Sequence, residues 1–196
     1  MTGAPVAVIT GAASGIGAAC ARLLGDRGWR TAGIDLNDSG CDLSATLDVT
    51  DRDGVRGAVD AAAEFGRIDL AVTAAGYYQE GIAAISRAQW DRMIAVILGG
   101  TVNVFAAVKG AVLGVVMSLA MEVATTGVRV NAVAPGPTDT PLLAPHSLWR
   151  EPAYLATLPL GRLVIPDEVA HTVYYLATEG SMYCGEMLSP NAGAVI

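Results

Sequence analysis

The sequence predicts a doubly wound, parallel α/β sheet in a single domain. Three observations carry this. An apolar run at Val6–Ile9 ends in a glycine-rich turn and continues into a helix-like segment. Strand-like and helix-like runs then alternate to the end of the chain. Finally, 196 residues that are 53% hydrophobic and 16% charged can bury one sizeable core.

The elements follow in order. A buried strand over about 5–10 leads into a helix at 15–28, then a second strand at 30–35 and a short third at 45–49. Thr50 or Asp51 caps a helix that runs through Phe65 and stops at Gly66. A fourth strand covers about 68–74. Ser86 is the expected N-cap of a helix at 87–107 that includes Trp90 and Met93. A further helix spans 109–125, with Val112, Val116, Leu119 and Val123 on one stripe. Another strand lies at 128–134. The five prolines within 136–160 mark a loop or lid with short helices. Pro166-Asp167-Glu168 opens a helix to about Ala177, and a last strand falls near 185–189. No repeat or linker interrupts 1–196, of which 137–163 is the expected substrate lid.

The composition excludes several classes. The net charge of −7 without a Lys/Arg cluster argues against a nucleic-acid surface. Cys20, Cys41 and Cys184 are scattered and odd in number, fitting neither a disulfide framework nor a zinc site and pointing to the cytoplasm. The N-terminus lacks a basic signal-peptide region. From Ile94 to Met121 the only ionisable residue is Lys109. A lysine at the centre of a membrane span costs about 2.5–3.5 kcal/mol, and Gly99, Gly100 and Asn103 add to that. Helices buried in a core or a subunit interface explain this stretch better.

The glycines at Gly11, Gly15 and Gly17 follow a G-x-x-x-G-x-G spacing. With Ser14 and Ile16 they form a tight turn and a helix N-terminus, where backbone N–H groups and the helix dipole favour a pyrophosphate. Asp35 closes the second strand 18 residues beyond Gly17. A carboxylate there accepts hydrogen bonds from ribose hydroxyls and repels a 2′-phosphate, so it favours NAD over NADP. No cation stands at 36–38. The plainer reading of Asp35 is an exposed strand-end acid.

With Thr10 and the inserted Ala12-Ala13-Ser14, this turn resembles the cofactor loop of the short-chain dehydrogenase/reductase family. Asn131-Ala132-Val133-Ala134-Pro135-Gly136-Pro137-Thr138-Asp139-Thr140-Pro141 is similar to that family's second cofactor segment. The resemblance implies a Rossmann-type fold and hydride transfer between NAD and a secondary alcohol or ketone. Asp48, through its side chain, and Val49, through its N–H, would flank the adenine, with Leu36 beside Asp35 at the ribose. Ala74, Ala75 and Gly76 would pack on the adenosine ribose, although Thr73 replaces the family's Asn. Pro135, Gly136, the Thr138 backbone and the Thr140 hydroxyl would surround the nicotinamide and its carboxamide or the pyrophosphate. Lys109 matches the Lys of the Y-x-x-x-K motif, both catalytic and cofactor-binding. Relatives pair the helices corresponding to 87–107 and 109–125, which implies a homodimer or homotetramer. Leu142, Leu143, Trp149, Tyr154 and Leu155 would cover a small-molecule substrate. His146, Arg150 and Arg162 read as solvated.

The match breaks beside Lys109. Phe105 stands where the catalytic Tyr belongs, and no strand with its Ser separates the two helices. On the order of thirty residues, including a fifth strand, are absent by ordinary element lengths. Successive crossover helices start at the same sheet edge. The return strand spans roughly 17–20 Å, which one peptide bond of about 3.8 Å does not cover. Val108–Lys109 is therefore not expected as a junction within an intact sheet: an internal segment with the Ser and Tyr is expected between them, the alternative being a true deletion that leaves an unfilled slot beside the fourth strand and an inactive protein. Ile97 replaces the family Asn that holds a relay water. Tyr77 and Tyr78 are expected to pack near cofactor or substrate. The alternative to an enzyme is a catalytically degenerate NAD-binding sensor or subunit.

Overall fold

The computed structural model describes residues 3–76, 86–99 and 109–194. It forms two compact units, Met1–Val112 and Leu113–Ile196.

The first unit is built on β1 (Val6–Thr10), whose β-branched run is buried at all five positions. It pairs in parallel with β2 (Arg30–Asp35) on one side and with β4 (Ile68–Thr73) on the other. β2 pairs with β3 (Leu43–Thr46), giving the order β3-β2-β1-β4. Helix α1 (Gly15–Asp26) buries Ala19, Cys20 and Leu24. It ends two residues before the expected 28, where the Trp29 N–H reaches back to the Leu24 carbonyl across Gly28 at φ +80. Burial pushes the Cys20 thiol up to about 12, so it stays a neutral core group.

The third strand lies at Leu43–Thr46, not at 45–49. Thr31 N–H donates to Asp42 Oδ2 at 2.7 Å, and Ala32 is already in register with Leu43. The expected second half is instead a turn in which Asp48 Oδ1 accepts from Thr50 N and Oγ1. The crossover from β2 to β3 is consequently only residues 36–42 and contains no helix. Parallel neighbours usually need a dozen residues or more. Gly33 makes this shortcut feasible, because a Cβ there would sit 2.2 Å from Ser39 Oγ and 2.8 Å from Cys41 Sγ.

Helix α2 (Arg52–Ala63) is capped by Asp51, which accepts from Gly54 N, and buries Val55, Ala58 and Ala62. They join Val8, Ala32, Ile34, Val49 and Val96 in one core cluster. β4 differs from β1: Asp69 and Thr73 are exposed and its other residues only half-buried. Among the described residues nothing pairs with its outer edge. That is the exposure expected of an inner strand whose fifth neighbour is absent. Ser86 caps α3 (Arg87–Ile94) through a reciprocal box with Gln89. One π turn, Ala95–Gly99, follows; the expected continuation to 107 lies outside the described residues.

The second unit continues α4 (Lys109–Val123), closed by a 3-10 turn at Ala124–Thr126. Of the expected stripe, Val116 is buried, Leu119 and Val123 are half-buried, and the Val112 side chain lies outside the described residues. The strand expected at 128–134 is reduced to β5 (Ala132–Val133), parallel to β6 (Met187–Leu188). The Asn131 side chain replaces the ladder before it, donating to the Tyr183 carbonyl and accepting from Glu186 N. Between them lie a 3-10 turn at Leu148–Arg150, α5 (Pro152–Leu155) and α6 (Pro166–Thr178). Among the described residues, no helix is long and apolar enough to cross a membrane.

Arg162 is not merely solvated. It bonds both carboxylate oxygens of Glu168, at 2.9 and 2.6 Å, and Glu168 also accepts from Ile165 N at the start of α6. The Arg162 hydrogen bond, followed by that N–H, holds the Glu168 carboxyl at about 2 rather than 4.5. Because the folded value is depressed, its stabilisation is complete above about 4.5 and is lost as pH falls toward 2. Glu168→Gln should lower the urea midpoint at pH 6, and the difference from the native chain should shrink by pH 3.

Candidate functional site

The glycine turn is held by backbone contact, not by side chains. Gly11 has φ +70, and a Cβ there would lie 2.8 Å from the Ala75 Cα and N. Ala75 N–H donates to Thr10 Oγ1 and Ala74 N–H to the Thr10 carbonyl, both at 3.2 Å. The ends of β1 and β4 are thereby pressed together. Thr10 supplies the hydroxyl that compensates for the missing Asn at Thr73, which points away as an exposed residue. A Cβ on Gly17 would lie 2.1 Å from the Gly11 carbonyl oxygen. Gly15, at φ +54, starts α1. Ser14 is its N-cap but makes no side-chain cap bond and is exposed, and Ile16 is half-buried. The first-turn N–H groups of a helix have no intrahelical partners and face whatever lies before it.

Asp35 joins this turn. Its Oδ2 accepts from Ala13 N and its Oδ1 from Asn37 N, each at 3.1 Å. An ionised carboxylate oxygen has about two acceptor positions, so among the described residues each keeps one, suited to a vicinal diol. Leu36 is 60% exposed beside it. The Leu47 N–H pairs with the Asp35 carbonyl at 2.8 Å, which sets Asp48 next to Asp35 at the carboxyl edge of the sheet.

Asp48 is half-buried, and Val49 is buried in the core. The Thr50 backbone N–H, assisted by Arg92, holds the Asp48 carboxyl below its ordinary value. Arg92 Nη2 meets Asp48 Oδ2 at 2.8 Å. The sequence reading did not single out Arg92: it is 44 residues away, and no local spacing links the two. Ala74 and Ala75 are half-buried and Gly76 is exposed at the end of β4.

The remaining expected residues belong to the second unit. Gly136 is buried, and a Cβ there would lie 2.7 Å from the Asn191 carbonyl oxygen. Pro135 precedes it, half-buried, directly after β5. Thr138 Oγ1 donates to the Gly136 carbonyl, and Thr138 forms a parallel bridge with Val164. The Thr140 carbonyl accepts from Leu143 N and from Arg150 Nη2. Arg150 is thus not a solvated side chain. It also donates to the Leu143 carbonyl from Nε and Nη2 and pairs with Asp139 at 2.7 Å. Trp149 and Tyr154 pack edge to face at 4.7 Å beside it. The lid and the 138–143 segment are therefore one tied body. Lys109 is the first residue of α4. Phe105, Tyr77, Tyr78 and the Val108–Lys109 junction lie outside the described residues; Ile97 lies in the π turn.

Comparison with known proteins identifies the family. The short chain dehydrogenase family model matches residues 5–108, and the enoyl-(acyl carrier protein) reductase model matches 97–194. A cis-4-hydroxycyclohexanecarboxylate dehydrogenase of Sinomonas cyclohexanicum is 35% identical, over 96% of this chain and 95% of its own length. A D-threitol dehydrogenase of Mycolicibacterium smegmatis is also 35% identical, over 90% of this chain and 86% of its own length. A 3-ketoacyl-(acyl-carrier-protein) reductase from Brucella melitensis, solved with NADH, superposes with a TM-score of 0.86 at 25% identity, over 99% of each chain. The chain belongs to the short-chain dehydrogenase/reductase family, a family of oxidoreductases with a Rossmann-like parallel sheet.

The alignment with the cyclohexanecarboxylate dehydrogenase runs over 237 positions, whereas 96% of 196 residues supplies about 188. About 49 positions therefore have no counterpart here, more than the thirty or so expected. The first family match stops at Val108, the residue before Lys109.

Two measurements probe the site. Gly17→Ala, whose Cβ would meet the Gly11 carbonyl oxygen, should weaken dinucleotide binding at least tenfold in titration calorimetry and also lower the urea midpoint. Arg150→Ala should accelerate proteolytic cleavage within 139–150 severalfold with little change in the urea midpoint.

Proposed function

We propose that the chain is an NAD-binding oxidoreductase of the class that moves hydride between a nicotinamide and a secondary alcohol or ketone. The observation that carries this is Asp35, held between Ala13 N and Asn37 N with one acceptor position open on each oxygen. The α1 N-terminus and the backbone of Gly11–Gly17 would receive the pyrophosphate. Asp35 and Leu36 would receive the adenosine ribose, with Ala74-Ala75-Gly76 behind it. Asp48 and Val49 would face the base. In the second unit, Pro135, Gly136, Thr138 and Thr140 are the residues that the family resemblance assigns to the carboxamide end, and the resemblance assigns Lys109 to the nicotinamide ribose. NAD, when bound, supplies the hydride acceptor. The named activities of the relatives, which act on ring and chain hydroxyl groups, support an alcohol or ketone substrate. NAD is favoured over NADP because Leu36, Asn37 and Asp38 offer a 2′-phosphate no cation.

Saturation at a hundredfold over Kd stabilises a protein by about 2.7 kcal/mol. NAD should accordingly raise the melting temperature by several degrees, and NADP at the same concentration should not. An equal rise with NADP, or none with NAD, overturns the cofactor assignment.

Phe105 in place of a phenol, and the roughly 49 unmatched positions, favour a second reading: an NAD-binding sensor or subunit without turnover. NADH formation from a panel of secondary alcohols separates the two. It should be followed in this chain and in one carrying the relative's intervening segment between Val108 and Lys109. Turnover in the extended chain supports the enzyme. NAD-driven stabilisation with no turnover in either favours the sensor.

Met117 and Met121 on α4 are 59% and 82% exposed. An apolar helix face of this kind supports pairing with a second copy as a homodimer or homotetramer. A small-molecule substrate and a cytoplasmic setting complete the reading.

A further inference from the structure

We propose that Arg92 is a positioning residue that fixes Asp48 as a reader of the amino edge of the adenine base. The inference rests on the dinucleotide reading above and extends it to a side chain on α3.

The geometry runs from the sheet edge outward. Leu47 pairs with the Asp35 carbonyl, so Asp48 stands one strand beyond the acid that would hold the ribose. A base attached to that ribose extends over the end of β3. Asp48 Oδ1 already accepts two bonds, from Thr50 N at 2.9 Å and Thr50 Oγ1 at 2.8 Å. Oδ2 accepts one among the described residues, from Arg92 Nη2 at 2.8 Å. A carboxylate oxygen has about two acceptor positions, so a single one remains, on Oδ2. It suits one N–H of an exocyclic amine and opposes a carbonyl oxygen at the same place.

Arg92 settles where that last position points. Thr50 holds one oxygen, and the guanidinium fixes the rotation of the other. Arg92 is itself placed by α3: Val96, four residues on, is buried in the core with Val49 and Val55. The pair is 46% and 30% exposed, and exposed pairs contribute little to folding. Folding stability alone thus gives a weak reason for it, whereas orientation of an acceptor gives a direct one.

The test compares NAD with nicotinamide hypoxanthine dinucleotide, which carries a carbonyl in place of the amine, by calorimetric titration of the 196-residue chain. The native chain should prefer NAD about tenfold. Arg92→Gln should reduce that preference to about threefold or less, by weakening NAD while leaving the hypoxanthine dinucleotide within twofold. Arg92→Lys should retain most of it, and Asp48→Asn should abolish it. Equal weakening of both dinucleotides by Arg92→Gln, or no change in either, overturns the inference. Equal native affinity for the two dinucleotides also overturns it but leaves the NAD reading intact. Failure of both to bind removes the NAD reading and the inference together.

Discussion

The first unit depends on backbone meeting backbone at one place. Gly17 lies under the Gly11 carbonyl, Gly11 lies against Ala75, and Thr10 binds both Ala74 and Ala75. No residue with a side chain fits at Gly11 or Gly17 without moving the main chain. This contact joins the central strand, the first helix and the end of β4 before any ligand is present. It leaves the helix N-terminus open and draws the turn within reach of the Asp35 carboxylate. A loop tied down in advance loses less entropy when it meets a phosphate.

The second unit uses ion pairs and carbonyl contacts where the first uses close packing. Arg150 binds Asp139 and the Thr140 and Leu143 carbonyls, and Arg162 binds Glu168 at the foot of α6. Both arginines lie within the 137–163 segment expected to cover a substrate. The 138–143 segment and the 147–155 segment consequently behave as one body.

Much of this was legible in the sequence because it depends on local patterns. β2 falls at 30–35 as expected, Ser86 caps α3 with the predicted geometry, and the glycine spacing located the turn. A break at Lys109 was also expected from strand and helix directions in a parallel sheet, and about 49 aligned positions of a relative have no counterpart in this chain. What was not readable depends on distant partners. β3 begins earlier because Asp42 binds Thr31, which no periodicity encodes. The strand expected at 128–134 shrank because the Asn131 amide took over two ladder positions. Arg150 and Arg162 read as solvated and Arg92 drew no reading at all; only the fold shows which acceptors they serve. The seven-residue span 36–42 likewise gave no sign that it bridges parallel strands without a helix.

Among the described residues no strand pairs with the outer side of β4, and this has a consequence of its own. A terminal strand with free amide and carbonyl groups is a template for any extended segment that reaches it, including the same strand of another molecule. Natural edges guard against this with charges, bulges or proline. Here Arg67 and Asp69 stand at the beginning of the strand, but Leu70-Ala71-Val72 carries no such gatekeeper. Wherever that edge is left uncovered, concentrated solutions of the polypeptide would be prone to cross-chain β-pairing and precipitation, a colloidal cost carried by the strand's own sequence.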